Sequence, residues 1–318
     1  AWLFGAAFFL PLEVLIGCAA FTGLLVTLAE ATSNKGSDNF SVPLVTAFSY
    51  EIFLINYTHG TLPELLMWTL GSAVIFYFAY KARSLNSGGA ATAFVMGIFI
   101  FGAGGLPWIA PILAFFILSS IMSKIGKKSA ETTQKSSNRD VLQVLANGGI
   151  PMIIAIVNFF QPFDLAYIIF LGAIAAATAD TWATEIGFFS KNKPRHILNF
   201  KSVEKGASGG VTLLGFVGSA IGAGTIALIG MNWLNDFPIY WIVLAGFVSS
   251  FVDSVLGGSV QAMFKCSVCN KETEKRMHCQ MHTRHSSGFK WLDNDGVNFV
   301  NTIVGAKVIL ISFFYFQI

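Results

Sequence analysis

"DLAYIIFLGAIAAATADTWATEIGFFSKNKPRHILNFKSVEKGASGG", residues 164–210, carries in one stretch the two signals that set the architecture. Residues 165–179 are almost wholly apolar, and the next thirty bring Lys191, Lys193, Arg195, Lys201 and Lys205. A helix needs about 20 apolar residues to cross the hydrocarbon of a bilayer. Lys and Arg collect on one side of it. The stretch therefore reads as a membrane span running into a basic loop.

The same alternation repeats in both directions. The chain has 318 residues, of which 54% are hydrophobic and only 12% charged, against roughly 25% charged in soluble proteins. Apolar runs fall at 2–29, 41–58, 62–80, 90–104, 107–123, 140–160, 164–180, 210–231, 238–261 and 296–317. The second and fourth are short or polar, which gives nine or ten spans. If ten spans alternate, the loops 30–40, 81–89, 124–139, 181–209 and 262–294 share a side and hold 19 of the 20 Lys and Arg. The opposite loops hold none, and Lys307 lies within the last run. The expected fold is an all-α polytopic membrane protein, residues 1–318 forming a single transmembrane domain with long cytoplasmic loops and both termini outside. The net charge of +3 is an orientation signal and no nucleic-acid footprint.

Polar chemistry gathers on the basic side. Asp180 and Glu185 flank "TWAT" at the end of the seventh run. Five residues turn an ideal helix by about 140°, so the pair brackets one metal ion only if the helix ends between them. Otherwise they are two solvated acids. Magnesium suits such a place, because it takes one or two carboxylates and completes its shell with water and substrate phosphate. Downstream, Lys205, Ser208, Gly209 and Gly210 in "EKGASGG" lead into a helix whose N-terminus could receive an anion.

Arg139, Gln143 and Asn147 recur at four-residue spacing, as an anion-binding stripe or as helix–helix hydrogen-bonding groups. Asn294, Asn298 and Asn301 share a helical face beside Asp293 and Asp295, an arrangement able to hold a metal–phosphate or a nucleotide. Asp253 lies about 12 Å inside its span, where an acid is a functional-site hypothesis by default.

The loop 262–294 contains "CSVCNKETEKRMHCQMH". Cys266, Cys269, Cys279 and His282 follow zinc-knuckle spacing, with His278 and His285 competing for the fourth position. Such a site is closed and structural.

Taken in order, "SLNSGGAATAFVMG", "LAFFILSSIMSK", "RDVLQVLANGG", "DTWATEIG", "GASGGVTLLG" and "WLDNDGVN" resemble an integral membrane family over residues 62–318. That family includes the plant phytyl-phosphate kinase of vitamin E synthesis and uncharacterised bacterial, archaeal and animal members. "DTWA…IG…KSVEKGASGG" is also distantly similar to the CTP-site signature of CDP-diacylglycerol synthases and of dolichol and phytol kinases, with Lys205 interrupting the Glu-Gly pair. The resemblance implies a CTP- and Mg²⁺-dependent kinase that phosphorylates an isoprenoid monophosphate lipid. Asp180 and Glu185 would serve the metal, and Lys205, Ser208, Gly209 and Gly210 the triphosphate. Position adds Arg139, Asn147, Asp253, Asn294, Asp295 and Asn298 to the pocket. The rival readings are a transporter or lipid scramblase, and a cytidylyltransferase that makes a CDP-lipid.

Overall fold

The computed structural model describes residues 10–34, 36–129, 138–234 and 238–316. Ten helices among them are long and apolar enough to cross a membrane. They are α1 (Leu12–Thr32), α2 (Asp38–Thr58), α3 (Leu62–Lys81), α4 (Ser87–Gly104), α5 (Leu106–Ser129), α6 (Val141–Phe160), α7 (Ala166–Gly187), α8 (Leu213–Gly230), α9 (Tyr240–Ser259) and α10 (Asn294–Phe316). The start of the first expected run, residues 2–9, lies outside the described residues. The largest difference from expectation is α7, which continues through "TWATEIG" to Gly187. Thr181 bonds back to the Ala177 carbonyl at 2.9 Å, and the Trp182 indole donates to Ser119 Oγ on α5 at 3.2 Å. The polar-looking tail is thus held as helix by its neighbours.

Four of the helix starts carry a side-chain cap. Asn86 accepts from the Gly89 amide at the head of α4, and Asp140 and Gln143 form a reciprocal capping box on α6. Thr212 caps α8 through the Gly215 amide, and Asp293 caps α10 through the Gly296 amide. Each such cap satisfies an amide that the helix itself leaves unpaired.

The chain packs as two compact units. One comprises residues 1–109, 136–145 and 155–163; the other 110–135, 146–154 and 164–318. In the first, the Trp68 indole of α3 donates to the Gly97 carbonyl of α4 at 3.0 Å and its ring stacks on Phe101. Asn56 of α2 donates to the Gly102 carbonyl at 2.9 Å. The segment before α6 bridges to the one before α4, Leu85 pairing with Arg139.

The second unit is built around α7, whose run "GAIAAATA" is buried throughout. Small residues let the neighbouring backbones come close. A Cβ on Gly222 of α8 would sit 3.0 Å from the Thr178 carbonyl oxygen. One on Gly246 of α9 would sit 2.8 Å from that of Ala175, and one on Gly305 of α10 2.4 Å from that of Gly172. Outside the helices lie short antiparallel pieces. β1 (Arg195–His196) pairs with β2 (Gly210–Val211), and β3 (Met263–Lys265) lies between β4 (Glu272–Thr273) and β7 (Arg284–Ser287). β5 (Met277–His278) forms a hairpin with β6 (Met281–His282).

Candidate functional site

The register of the second unit fixes the depth of its polar residues. The Asn301 amide donates to the Ala176 carbonyl at 3.1 Å, and Gly305 meets Gly172. Continued one turn toward the start of α10, the antiparallel register brings Asn298 beside residues 179–180. Asn298 also shares a stripe with Asn301 and Gly305, at spacings of three and seven, and so lies on the face turned to α7. On α9, Asp253 follows Gly246 by seven residues and occupies the same face. The Gly246–Ala175 contact therefore puts Asp253 level with Trp182. Gly149 of α6 packs near Phe299, which brings Asn147 within about a turn of the same level. Asp180, Asp253, Asn298 and Asn147 are all half-buried and fall in one layer contributed by α7, α9, α10 and α6.

Several expected site residues have other employment. Asp180 and Glu185 sit on one unbroken helix, so the helix end that would let them bracket a single ion is missing. Glu185 instead accepts from Ser123 Oγ of α5 at 2.6 Å. Lys205 is engaged at the end of α7. Its ammonium donates to the Phe188 and Ser190 carbonyls at 3.0 and 2.7 Å, closing the C-terminal end of α7, where the helix dipole favours a cation.

Gly209 has φ +71°, and a Cβ there would lie 2.4 Å from Gly258 Cα. Close approach to the end of α9 accounts for this glycine without an anion. The Gly210 amide turns inward to the Ala207 carbonyl, and α8 begins at Leu213, with one of its first amides already taken by Thr212. Ser208 Oγ donates to the Glu274 carboxylate and receives the Gln261 amide at 3.5 Å.

The stripe imagined from Arg139 through Asn147 is also broken. Helix α6 starts at Val141, and Arg139 lies ahead of it as extended chain, its amide on the Ser84 carbonyl and its carbonyl receiving the Asn86 amide. Gln143 is drawn into the capping box. At the head of α10, Asp293 supplies the cap, while Asn294 and Asp295 occupy the first turn, half-buried. Asn301, fully buried, serves helix packing through Ala176.

In the loop between α9 and α10, Cys266, Cys269, His278 and Cys279 converge, their ligand atoms all within 4.8 Å of one another. His278 Nδ1 is 3.4 Å from Cys269 Sγ and 3.3 Å from Cys279 Sγ. The backbone amides of Cys269 and Val268, with His278, bring the Cys266 thiol down to about 6, and the neighbouring thiols, Cys269 first, push Cys279 up to about 11. His282 is not in this group. The β5–β6 register pairs His278 with Met281 and Met277 with His282, so the two histidines lie on opposite faces of the hairpin. Residue spacing suggested His282, and strand alternation selects His278.

Sequence reasoning missed Ser119, Ser123 and Glu274. Ser119 and Ser123 were visible as hydroxyls in the apolar run "LAFFILSSIMSK". Nothing in the order of residues paired Glu274 with Ser208, 66 positions away.

Ten apolar helices among the described residues, with half-buried polar residues at one level on four of them, define a polytopic helical membrane protein. Comparison with known proteins makes the class specific. Residues 70–306 match the family described as "Integral membrane protein DUF92", and the chain belongs to that family. It is an integral membrane protein of the family its motifs resembled. It is 32% identical over 253 residues to an uncharacterised membrane protein of Methanocaldococcus jannaschii, covering 79% of this chain and 95% of that one. It is 30% identical over 287 residues to protein PGR of Arabidopsis thaliana, covering 79% and 97%. With the chloroplast protein VTE6 of the same plant it shares 23% identity over 259 residues, covering 78% and 69%. No solved structure matches the chain.

Proposed function

We propose that the protein is a CTP-dependent prenyl-phosphate kinase, working on a phytyl-phosphate-like lipid at the cytoplasmic side of the membrane. The observation that carries this reading is the shared depth of Asp180, Asp253, Asn298 and Asn147. Two carboxylates and two amides at one level, on four different helices, form an oxygen-rich set of the kind a hard cation and a phosphate share. The family resemblance supports the same chemistry. The donor set fits Mg²⁺, with Asp180 and Asp253 as the carboxylates that would hold it and Glu185 turned aside to Ser123. When bound, the ion supplies charge neutralisation to the triphosphate and leaves room for water and phosphate oxygens.

The chain's own residues position and shield. Asn147 and Asn298 offer amide donors to phosphate oxygens, and the packed helices keep water from the transferring group. The lipid keeps its isoprenoid tail in the bilayer and brings its phosphate to the layer. A phosphate oxygen of the lipid bonds to the γ-phosphorus of CTP, the bond from that phosphorus to the β,γ-bridging oxygen breaks, and CDP leaves. Phosphoryl transfer of this kind asks for alignment and electrostatics and needs no covalent nucleophile.

The deciding experiment offers purified protein in detergent a panel of prenyl monophosphates with CTP labelled at the α or the γ position. γ-Label in a lipid diphosphate, lost in Asp180→Asn, is the expected result. α-Label in the lipid would identify a cytidylyltransferase. No transfer from any nucleoside triphosphate, by protein shown to be folded, would refute the enzyme reading and favour transport.

A further inference from the structure

The loop between α9 and α10 is poorly equipped to hold its own shape. Its strands are two to four residues long, and short hairpins are marginal in water without a partner layer. Few of its side chains are deeply buried, chiefly Ala262, Phe264, Cys266 and Leu292. Yet it follows a definite path. Asn270 (φ +58°), Cys279 (φ +51°) and Gln280 (φ +60°) all take the left-handed conformation at its turns. The Cys266 amide bonds the Lys271 carbonyl, and the Asn270 amide the Cys266 carbonyl. Something must fasten the first turn to the second, and the side chains at the junction are three thiols and one imidazole.

We propose that Cys266, Cys269 and Cys279 through Sγ, with His278 through Nδ1, bind one tetrahedral zinc ion that pins this loop and keeps Glu274 on Ser208 of the 206–210 turn. Zinc bonds of about 2.3 Å to sulfur and 2.0–2.1 Å to nitrogen imply ligand-to-ligand edges of about 3.5–3.8 Å in a tetrahedron. The sulfur–nitrogen separations to Cys269 and Cys279 are 3.4 and 3.3 Å, and no pair in the group exceeds 4.8 Å.

Hydrogen bonding alone explains this poorly. Nδ1 has at most one proton, yet it faces two sulfurs at nearly equal distance. All three cysteines are free thiols, and a closed set of three cysteines and one histidine is a structural zinc set. Glu274 follows β4 directly and meets Ser208 from the knuckle side. Metal binding is therefore transmitted to the turn that leads into α8.

The test uses the full chain in detergent with thiols reduced and metal stripped by chelator, titrated with Co²⁺ alone. One equivalent per chain should give a tetrahedral visible spectrum with strong thiolate charge transfer, bleached by Zn²⁺. His282→Ala should leave that spectrum unchanged, while His278→Ala and Cys269→Ser should lose it. Zinc should also slow tryptic cleavage at Lys271, Lys275 and Arg276 in the wild type. The ligand set is overturned if folded wild-type protein shows no tetrahedral spectrum, if it is isolated with iron, or if His282→Ala abolishes binding and His278→Ala spares it. The pinning role is overturned if cleavage proceeds at the same rate with and without metal.

Discussion

Gly305→Ala tests the packing on which the polar layer depends. A methyl at this position would sit 2.4 Å from the Gly172 carbonyl oxygen, 2.7 Å from Ala176 Cβ and 3.0 Å from the Gly172 carbonyl carbon. Two of these are backbone atoms of a buried helix, which no rotamer change can move. Relief requires α10 to retreat from α7 by nearly 1 Å, and overpacking of this kind costs about 1–3 kcal/mol. The retreat also stretches the Asn301–Ala176 bond one turn away, worth roughly 0.6 kcal/mol inside a membrane.

Gly224→Ala is the matched control. It changes the same residue type within a helix, but nothing lies within 4 Å of its Cβ position, so it keeps the helix-propensity gain of about 0.8–1 kcal/mol. Because Gly305→Ala enjoys that gain too, the two variants should differ by about 2–4 kcal/mol, the sum of the clash and the lost bond. Denaturant titration of both proteins in one mixed-micelle system measures the difference directly. Equal stability of the two variants would show that α7 and α10 are not in backbone contact, and the depth assigned to Asn298 would fall with it.

Other outcomes follow from the same geometry. If the kinase proposal holds, Asp253→Asn should lower lipid phosphorylation by at least about 100-fold, as loss of a group acting on transition-state charge does, with helical content unchanged by circular dichroism. Trp182→Phe loses the N–H to Ser119 and also part of the buried indole volume, so it should destabilise by more than the roughly 0.5–1.5 kcal/mol of the bond alone. Ser119→Ala added to it should cost little more, a non-additivity that a double-mutant cycle in detergent would read. Thr212→Ala should cost about 1 kcal/mol by removing the α8 cap, seen as faster amide exchange at Gly215.

The helices were legible because a membrane imposes crude, long-range rules on composition. Apolar runs between basic loops located ten spans to within a few residues at most ends. The exception at α7 has a physical reason: Thr181, Trp182 and Glu185 look like a loop in isolation, but Ser119 and Ser123 on another helix supply their partners. The site was less legible because one residue type serves several purposes. A lysine before a glycine turn looks like a phosphate ligand, yet Lys205 found two helix-end carbonyls. Gly209 looks like an anion cradle, yet the backbone of α9 needs its space. Asn301 shares a face with Asn298, yet its amide is spent on the Ala176 carbonyl. Choosing His278 over His282 required knowing which residues the hairpin sets opposite each other, a register that counting along the chain does not supply.

Helix α7 has 22 residues, about 33 Å of helix against about 30 Å of hydrocarbon. Glu185 lies in its last turn, and Asp180 lies about 10 Å back from the helix end. A solute coming from water must descend through protein to reach that level. A phosphate on a lipid, as the kinase proposal requires, can arrive sideways, between helices, without its chain leaving the bilayer. On the kinase proposal, the length of one helix thus divides the two substrates by their routes, one vertical and one lateral.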